Sequence, residues 1–416
     1  MNTYPSLNQP TGVKDLFVRL TQWHRNRRCQ ALLIILGCCV CLLVTGCGEL
    51  STTDLSAEDI AAARQTRHAT LQSKVDSLVR PLVETGHTPG VVVGVLLADG
   101  STHFYGYGVA NKINHRKPDG DTLFAVGSLS KGYLAAITAL LVDEGKLSWD
   151  DTLETLLPPG TPLSMDARTI TLLQLATHTS GLPRQPITLQ TLAYFVEYLF
   201  DGNNFYRHFD LAYTLNYLAT FSSDTKGRQQ YSNIGYGILG YILELKTGQT
   251  VDMLLRHKLV EPMGLSCTGY SPELLPCYPG RAYGYAGNQP KFIVRGHPTP
   301  DWHFTPLMRG SAGLWSNAKE LLMFASAHLK GNESRFNKVL ASNLRVRLPL
   351  PKKSAAVAWL VDDFGSQTIT FQIGFVAGYS SYIGLDVDKR TAVVVLQNSF
   401  NWDNSVGQKL LLRVAQ

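Results

Sequence analysis

Residues 124–133 read Phe-Ala-Val-Gly-Ser-Leu-Ser-Lys-Gly-Tyr. A short apolar run ends at Gly127, Ser128 follows it, and Lys131 stands three positions later. Behind the lysine, residues 134–145 have the apolar pattern of a buried helix that ends at a glycine. If Ser128 begins that helix, side chains three positions apart share one face, so the amino group of Lys131 can reach the Ser128 hydroxyl. A hydroxyl becomes a good nucleophile when a base takes its proton, and a desolvated lysine of lowered pKa can be that base.

The Ser-x-x-Lys spacing is common, and this chain contains it three times. It occurs at Ser128/Lys131, Ser223/Lys226 and Ser316/Lys319. A serine at this spacing is also typical of a helix N-cap followed by a solvated lysine. Residues 316–322 fit such a capped helix start, and residues 222–227 fit a polar loop. Only the first pair has an apolar approach and a long apolar helix after it.

The composition is that of an ordinary globular protein, with 416 residues, 44% of them hydrophobic and 17% charged. A chain of this length can build a large core or two subdomains. Most of the net charge of +6 lies in the first 46 residues, so the remainder is nearly neutral. This distribution does not suggest a nucleic-acid-binding surface.

The start of the chain has the pattern of a targeting segment. Three arginines between positions 25 and 28 precede an apolar run at 31–45, which is short for a membrane span of about 20 residues. Leu-Val-Thr-Gly-Cys at 43–47 resembles a bacterial lipobox. The resemblance implies a signal peptide over 1–46, a lipidated Cys47, a short tether over 47–58 and a hydrolase domain over 59–416. We therefore expect a periplasm-facing lipoprotein of the bacterial cell envelope, and Gly48 favours the outer membrane. A signal anchor that stays in the bilayer is the alternative.

Two of the seven cysteines lie outside this segment, at Cys267 and Cys277. In an oxidising compartment such a pair predicts a disulfide, here closing a small loop around residues 271–273. Two reduced cysteines are the alternative. No Cys/His spacing typical of a metal site occurs, so we expect no metal and no other cofactor.

The remaining segments predict an α+β fold. Helical spacing covers residues 57–83, a hairpin is centred on Asp99-Gly100, and residues 147–345 are mainly helical. Strand patterns return at 356–361, 368–373, 380–385 and 391–397, before an amphipathic helix at 405–414. We therefore predict an antiparallel sheet flanked by helices and built from both termini, with a helical subdomain inserted at about 147–345.

Two middle segments offer further candidate residues. His178, in Ala-Thr-His-Thr-Ser-Gly-Leu-Pro, follows a predicted helix and is either a base or a structural residue at a helix end. Tyr231 and Asn233 flank the turn into a second predicted helix, and a tyrosine near a lysine can pass a proton to a leaving group. That helix also contains Gly-x-Gly-x-x-Gly at 235–240. A dinucleotide site would need a strand before this motif, and a polar segment precedes it instead.

The strand predicted near residues 371–376 ends in glycines, which allow a substrate backbone to lie along its edge. The N–H group that follows Gly374, on Phe375, and that of Ser128 are candidates for an oxyanion hole. A plain core strand running into a turn is the alternative.

Together and in order, these segments resemble the class C β-lactamase and penicillin-binding-protein family of serine hydrolases. Ser128-Leu-Ser-Lys131 is similar to the family's first motif, and Tyr231-Ser-Asn233 to its second. Residues 178–183, 261–265 and 313–316 resemble ancillary segments. The resemblance implies a β-lactamase/transpeptidase-like fold, with Ser128 as nucleophile and Lys131 as general base. It further implies that Tyr231 relays the proton and that Asn233 contacts a substrate amide.

The third family motif, Lys-Thr-Gly or His-x-Gly on the strand beside the site, is replaced here by Gln372-Ile-Gly374. Loss of the cation removes an attraction for a substrate carboxylate and a charge that helps to lower the pKa of Lys131. Gln372 can donate a hydrogen bond but carries no charge. A Lys246-Thr-Gly248 also occurs, but its position at the end of a predicted helix is typical of ordinary capping.

The predicted function is that of a lipid-anchored serine hydrolase that forms an acyl-enzyme, with peptidoglycan stem peptides as leading substrate. The AmpH-type D,D-carboxypeptidase and endopeptidase branch is the most similar, and a Cys267–Cys277 pair suits it. β-Lactams remain a possible substrate class. Two alternatives stay open, which are an esterase on the same scaffold and a non-catalytic cell-wall or penicillin-binding module.

Overall fold

The computed structural model describes residues 55–66, 68–225, 227–290, 292–351, 353–365, 367–402 and 404–415. The predicted signal peptide, the lipidation residue Cys47 and most of the predicted tether lie outside these ranges. Within them, no helix combines the length and apolar character needed to cross a lipid bilayer.

The centre of the fold is a seven-stranded sheet in which every neighbouring pair of strands is antiparallel. Its strands are β1 (Gly90–Leu96), β2 (Thr102–Gly108), β6 (Ser354–Ala355), β7 (Leu360–Asp363), β8 (Thr368–Val376), β9 (Tyr379–Asp386) and β10 (Thr391–Gln397). Their order is β2-β1-β10-β9-β8-β7-β6, so the N-terminal hairpin pairs with the last strand. The predicted fold class, an antiparallel sheet built from both ends of the chain, is confirmed.

Helices cover both faces of this sheet. On one face, α1 (Ala57–Gln65) and α2 (Leu71–Glu84) pack with the C-terminal helix, and side chains of alternate β1 residues, Val91, Val93 and Val95, join them in one core. On the other face, Val92 and Leu96 belong to a larger core shared with the central helices. Since successive strand residues point to opposite faces, a strand buried on both sides is apolar throughout.

The helices between β2 and β6 form the second layer, together with three short strands. The first helices are α3 (Ser130–Asp143), α4 (Leu153–Leu156), α5 (Met165–Arg168), α6 (Leu172–Ala176), α7 (Leu189–Asp201) and α8 (Leu211–Thr220). They are followed by α9 (Asn233–Thr247), α10 (Val251–Leu255), α11 (Glu261–Met263), α12 (Pro306–Ala312), α13 (Ala318–Leu329) and α14 (Arg335–Ser342), and α15 (Val406–Val414) ends the chain. The short strands β3 (Phe124–Gly127) and β5 (Leu314–Ser316) pair antiparallel, and β4 (Tyr285–Ala286) pairs with β11 (Ser399–Phe400).

Four local predictions differ from the structure. The helix predicted to begin at Ser128 begins at Ser130, because Gly127, with φ of 53°, turns the chain out of β3 before Ser128. The helix predicted at 57–83 is two helices, and the Thr70 side chain caps the second by accepting from the N–H of Ser73.

The other two differences lie in the second half of the chain. The helix after β5 is capped by Asn317, not by Ser316, because the Asn317 side chain accepts from the N–H of Glu320. The strand predicted at 356–361 is wrong for residues 356–359, where the N–H of Ala356 donates to the Trp359 carbonyl across a tight turn.

Candidate active site

Most of the predicted site residues border one pocket between the sheet and the helical layer. Ser128 occupies the turn between β3 and α3, Lys131 the first turn of α3, and Tyr231 the segment just before α9. Gln372 reaches the pocket from β8. The pocket contains about 370 Å³ of empty space, part of it open to solvent. The structure therefore brings together residues from distant parts of the chain, such as Ser128 and Gln372, which are 244 positions apart.

Lys131 is buried, with 2% of its surface exposed, and its amino group is held at three points. Its Nζ atom lies 3.1 Å from Ser128 Oγ, 2.8 Å from Asn233 Oδ1 and 2.7 Å from the backbone oxygen of Ser311 on α12. Asn233 belongs to the first turn of α9. The contact between Ser128 and Lys131 is thus the one that the three-residue spacing predicted.

Burial lowers the pKa of Lys131 well below its usual range, and the positive charge of Arg184 lowers it further. A neutral amine has two N–H donors and one lone pair. The two shorter contacts, to Asn233 and Ser311, use the two donors. In the structure Nζ donates to Ser128 Oγ at 3.1 Å. Once the amine has lost a proton, its two donors stay on Asn233 and Ser311 and its lone pair faces the Ser128 hydroxyl, as a general base needs.

Tyr231 faces the same two residues. The Nζ atom of Lys131 lies 4.8 Å from the centre of its ring. Burial raises the pKa of Tyr231, although the charge of Arg184 and the nearby Ser128 side chain act in the opposite direction. The phenol consequently keeps its proton at neutral pH and can give it to a leaving group.

Asn233 is engaged at both ends of its side-chain amide. Oδ1 accepts from Lys131, and Nδ2 donates to the hydroxyl of Tyr206 at 2.7 Å. Tyr206 in turn donates to Gln185 Oε1 at 3.1 Å and belongs to a cluster of aromatic side chains between α7 and α12. The predicted contact of Asn233 with a substrate amide would therefore require Nδ2 to exchange Tyr206 for the substrate.

The side chain of Gln372 packs against helix α3 at Gly132, where any larger residue would collide with it. A Cβ atom placed on Gly132 would lie 2.3 Å from Gln372 Nε2. Within the described residues, this buried Nε2 atom has no hydrogen-bond partner. An unpaired buried donor costs free energy, so this group is ready to donate to a ligand oxygen.

The end of β8 packs directly on the turn that carries Ser128. A Cβ atom on Gly374 would lie 2.2 Å from the backbone oxygen of Val126, and one on Gly127 would lie 3.0 Å from the nitrogen of Phe375. The two glycines allow the backbones to touch, so the N–H groups of Ser128 and Phe375 are close neighbours. This proximity is what a two-donor oxyanion hole requires.

Four residues that the sequence analysis did not single out support the site. Ser130 is fully buried, donates to the Gly127 carbonyl at 2.6 Å and accepts from the N–H of Leu314 at 2.9 Å, which ties the turn to β5. The other three are Arg184, Tyr206 and the carbonyl of Ser311. Only Arg184 had a sequence signal, because it directly follows the segment 178–183.

His178 packs against the site from the side of α6. Its backbone has a positive φ of 60°, its ring centre lies 4.3 Å from that of Tyr231, and its Nδ1 atom accepts from the N–H of Ser232. Burial lowers the pKa of His178 well below its usual range, and Lys131 and Arg184 add to this effect. The imidazole is therefore neutral with its proton on Nε2, and its contacts are those of a residue that holds Tyr231 in place.

The other candidate motifs have separate locations. Lys319 pairs with Asp121 on the surface at 3.4 Å, and Lys226 lies outside the described residues. Lys246 reaches the carbonyl of Thr155, and Gly248 ends α9 in a left-handed conformation. The three glycines at 235–240 lie inside α9, where no strand precedes them. In the described part of the chain, no three His, Cys, Asp or Glu side chains are grouped as metal ligands.

Cys267 and Cys277 form a disulfide with a Cα–Cα distance of 5.9 Å. It closes the loop that contains the short 3-10 helix Pro272–Leu274, beside the start of β5. No described residue of this loop lines the pocket.

The fold is that of the class C β-lactamases and D-alanine carboxypeptidases. A class C β-lactamase from Rhodobacter sphaeroides superimposes with a TM-score of 0.69 at 22% identity, covering 83% of this chain and 100% of that one. At this identity the likeness shows the shared fold.

The sequence comparisons give the family. The profile of the Beta-lactamase family matches residues 75–416, and the chain belongs to that family. It is 27% identical over 350 residues to the unguisins hydrolase ungD' of Aspergillus campestris, covering 80% of this chain and 63% of that protein. It is 30% identical over 272 residues to penicillin-binding protein 4 of Amycolatopsis lactamdurans, covering 63% of this chain and 64% of that protein. The match thus spans slightly less than two-thirds of these curated relatives.

The AmpH resemblance is also present among the relatives. The D-alanyl-D-alanine-carboxypeptidase/endopeptidase AmpH of Escherichia coli K12 is 27% identical over 190 residues, which cover 44% of this chain and 46% of that protein.

Proposed function

We propose that this protein is a serine hydrolase that works through an acyl-enzyme on Ser128. The observation that carries the proposal is the contact of a buried Lys131, whose pKa is lowered by that burial, with the Ser128 hydroxyl at 3.1 Å. Lys131 takes the hydroxyl proton as Oγ bonds to the substrate carbonyl carbon. The N–H groups of Ser128 and Phe375 stabilise the oxyanion that forms.

Tyr231 completes the cycle. Its protonated phenol gives a proton to the leaving group as the carbonyl–leaving-group bond breaks, and Lys131 holds the proton taken from Ser128. Water then attacks the acyl carbonyl and gives a proton to the Tyr231 phenolate. The Ser128 ester bond breaks, and Lys131 returns its proton to Ser128 Oγ, which restores the serine hydroxyl and both starting groups. Each role uses a group whose pKa direction suits it, with the lysine pKa lowered and the tyrosine pKa raised.

We further propose that the protein acts in the bacterial cell envelope, anchored through lipid on Cys47, on peptide bonds of peptidoglycan stem peptides. The lipobox-like sequence at 43–47 and the relatives named penicillin-binding protein and D-alanyl-D-alanine-carboxypeptidase/endopeptidase support this substrate and location. Replacement of Cys47 by alanine, followed by membrane fractionation and mass measurement of the mature N-terminus, tests the anchor.

An esterase activity on the same site is the second candidate. Two observations favour it, namely the neutral Gln372 on β8 and the engagement of Asn233 Nδ2 by Tyr206. Both weaken recognition of a substrate that combines a carboxylate with an acyl amide, but neither weakens attack on a simple ester. Turnover of short-chain esters without any effect on muropeptides would favour this candidate over the peptidase.

The mechanism is tested by mass spectrometry of the protein after exposure to a fluorescent penicillin and, separately, to a fluorophosphonate. We expect an adduct on Ser128 that is absent in Ser128→Ala and strongly reduced in Lys131→Ala. Ser223→Ala is the matched control, because Ser223 is also followed by lysine at the third position, and its labelling should equal wild type. An adduct on Ser223 or Ser316, or no adduct with either probe, would overturn the proposal.

A further inference from the structure

The described residues that line the pocket supply no permanent positive charge. Of the described residues that line it, only Lys131 and His178 can become cations, and burial holds the pKa of each well below its usual range. Gln372 on β8, where the family places a cation, is neutral. A substrate carboxylate would therefore find no fixed charge on the β8 side of Ser128.

Arg184 carries a positive charge next to Tyr231, which lines the pocket. Its guanidinium carbon lies 4.7 Å from the centre of the Tyr231 ring, and its backbone carbonyl accepts from the N–H groups of Asn233 at 3.1 Å and Ile234 at 3.4 Å. These bonds fix Arg184 to the beginning of α9, beside the two residues of the second motif. The arginine is thus held in a fixed position directly beside Tyr231, a residue that lines the pocket.

The guanidinium is half-buried, and within the described ranges of the chain no carboxylate forms an ion pair with it. The cation–π contact with the Tyr231 ring stabilises the charge of the Arg184 guanidinium only partly. Such a contact uses none of the N–H donors in the plane of the guanidinium. A partly desolvated arginine with unused donors in a fixed fork is well suited to bind a carboxylate with two hydrogen bonds.

The field of this arginine reaches the reacting groups. Its positive charge contributes to the lowered pKa of Lys131 and His178 and opposes the rise in the pKa of Tyr231. Besides Arg184, the described titratable side chains that face Lys131 are Tyr231 and Tyr236, whose ring centres lie 4.8 and 5.6 Å from Nζ. The charge of Lys131 in turn helps to lower the pKa of His178.

We propose that Arg184 binds a carboxylate on the acyl part of the substrate and thereby supplies the positive charge that β8 lacks. The inference rests on the proposed acyl-enzyme at Ser128. We place this carboxylate on the acyl side of the scissile bond for one reason. The backbone carbonyl of Arg184 accepts from the N–H of Asn233, and the family resemblance implies that Asn233 contacts the acyl amide of the substrate. The favoured substrates are acyl donors with an acidic group beyond the scissile carbonyl, as in an acidic peptide.

Matched chromogenic esters test this selectivity. The 4-nitrophenyl half-esters of adipic and pimelic acid carry a terminal carboxylate, and the 4-nitrophenyl esters of hexanoic and heptanoic acid have the same chain lengths without it. We expect the ratio of kcat/KM for the acidic to the neutral ester to fall at least about tenfold in Arg184→Gln, the size of one charged hydrogen bond. Arg184→Lys should lower this ratio less than Arg184→Gln does, because lysine retains the positive charge but lacks the paired N–H donors of the guanidinium.

Arg168→Gln is the matched control, since Arg168 is an exposed arginine paired with Glu154 at 3.0 Å, and its ratio should equal wild type. An unchanged ratio in Arg184→Gln, with Ser128 still acylated by both esters, would overturn the role of Arg184 and leave the hydrolase intact. Failure of every ester to acylate wild-type Ser128 would instead overturn the proposed function together with this inference.

Discussion

The side-chain amide of Asn233 donates to the hydroxyl of Tyr206 at 2.7 Å, while its oxygen holds Lys131 at 2.8 Å. One residue therefore connects the base of the site to the aromatic cluster between α7 and α12. The same contact occupies the donor that a substrate amide would need. Tyr206 is thus placed to oppose substrates that are recognised through an acyl amide.

Tyr206→Phe tests this competition. Removal of the hydroxyl leaves Asn233 Nδ2 without its acceptor, so a substrate carbonyl can take its place. We expect KM for an acylamido substrate to fall about threefold to tenfold, the range for one neutral hydrogen bond, while a simple aryl ester changes little. Steady-state kinetics on the two substrates measure the difference. Tyr213→Phe, in the same aromatic cluster but bonded to Thr188, is the control. Equal changes for both substrates would contradict the competition.

Lys131 carries the second prediction. Lys131→Ala removes the base and should slow acylation of Ser128 by roughly 100- to 10,000-fold, the usual range for general-base catalysis. Lys131→Arg should be no better, because a guanidinium does not give up its proton in proteins. The rate of adduct formation measured by stopped-flow fluorescence checks both variants.

The control for this prediction is Lys319→Ala, the exposed lysine of another Ser-x-x-Lys segment, which should acylate at the wild-type rate. Full activity in Lys131→Arg would show that the site does not need a neutral amine. Circular dichroism on each variant separates loss of chemistry from loss of fold.

The third prediction concerns stability at acid pH. Burial lowers the pKa of His328 on α13 from 6.5 to about 4, so the unfolded chain binds a proton in this interval that the folded chain does not. The stability is fully present above pH 6.5 and is lost as the pH falls toward 4. Buried His178, whose pKa is also lowered, acts in the same direction.

His328→Gln should therefore reduce the loss of unfolding free energy between pH 6 and 4.5 by about 1.4 kcal/mol per pH unit, the value for one proton. Urea unfolding at a series of pH values measures the slope, independently of any constant destabilisation by the substitution. The exposed His103 on β2 provides the control, as His103→Gln should leave the slope unchanged. A slope in His328→Gln equal to that of wild type would contradict the assignment.

The sequence predicted best those features that depend on nearby residues. The reach of Lys131 to Ser128 follows from three positions on one helical face, and it survives although the helix begins at Ser130. The sheet built from both termini follows from the apolar and β-branched runs of β1 and β8–β10. The contacts of Ser311 and Tyr206 were not predictable, because a backbone carbonyl has no sequence signature and Tyr206 reaches Asn233 only through tertiary packing.

Ser130 carries the last prediction, because it separates structure from chemistry within one short segment. Its hydroxyl joins the Gly127 carbonyl to the N–H of Leu314, and Ser130→Ala removes both of these buried hydrogen bonds. We expect this variant to lose about 1–3 kcal/mol of unfolding free energy, whereas Ser128→Ala, at a half-buried position, should lose less. Urea unfolding measures both values, and acylation of Ser128 should persist in Ser130→Ala at a reduced rate. The rate falls because the turn that Ser130 holds also positions the N–H of Ser128 beside that of Phe375. Equal stability of the two alanine variants would show that the bridge from β3 to β5 does not hold the turn.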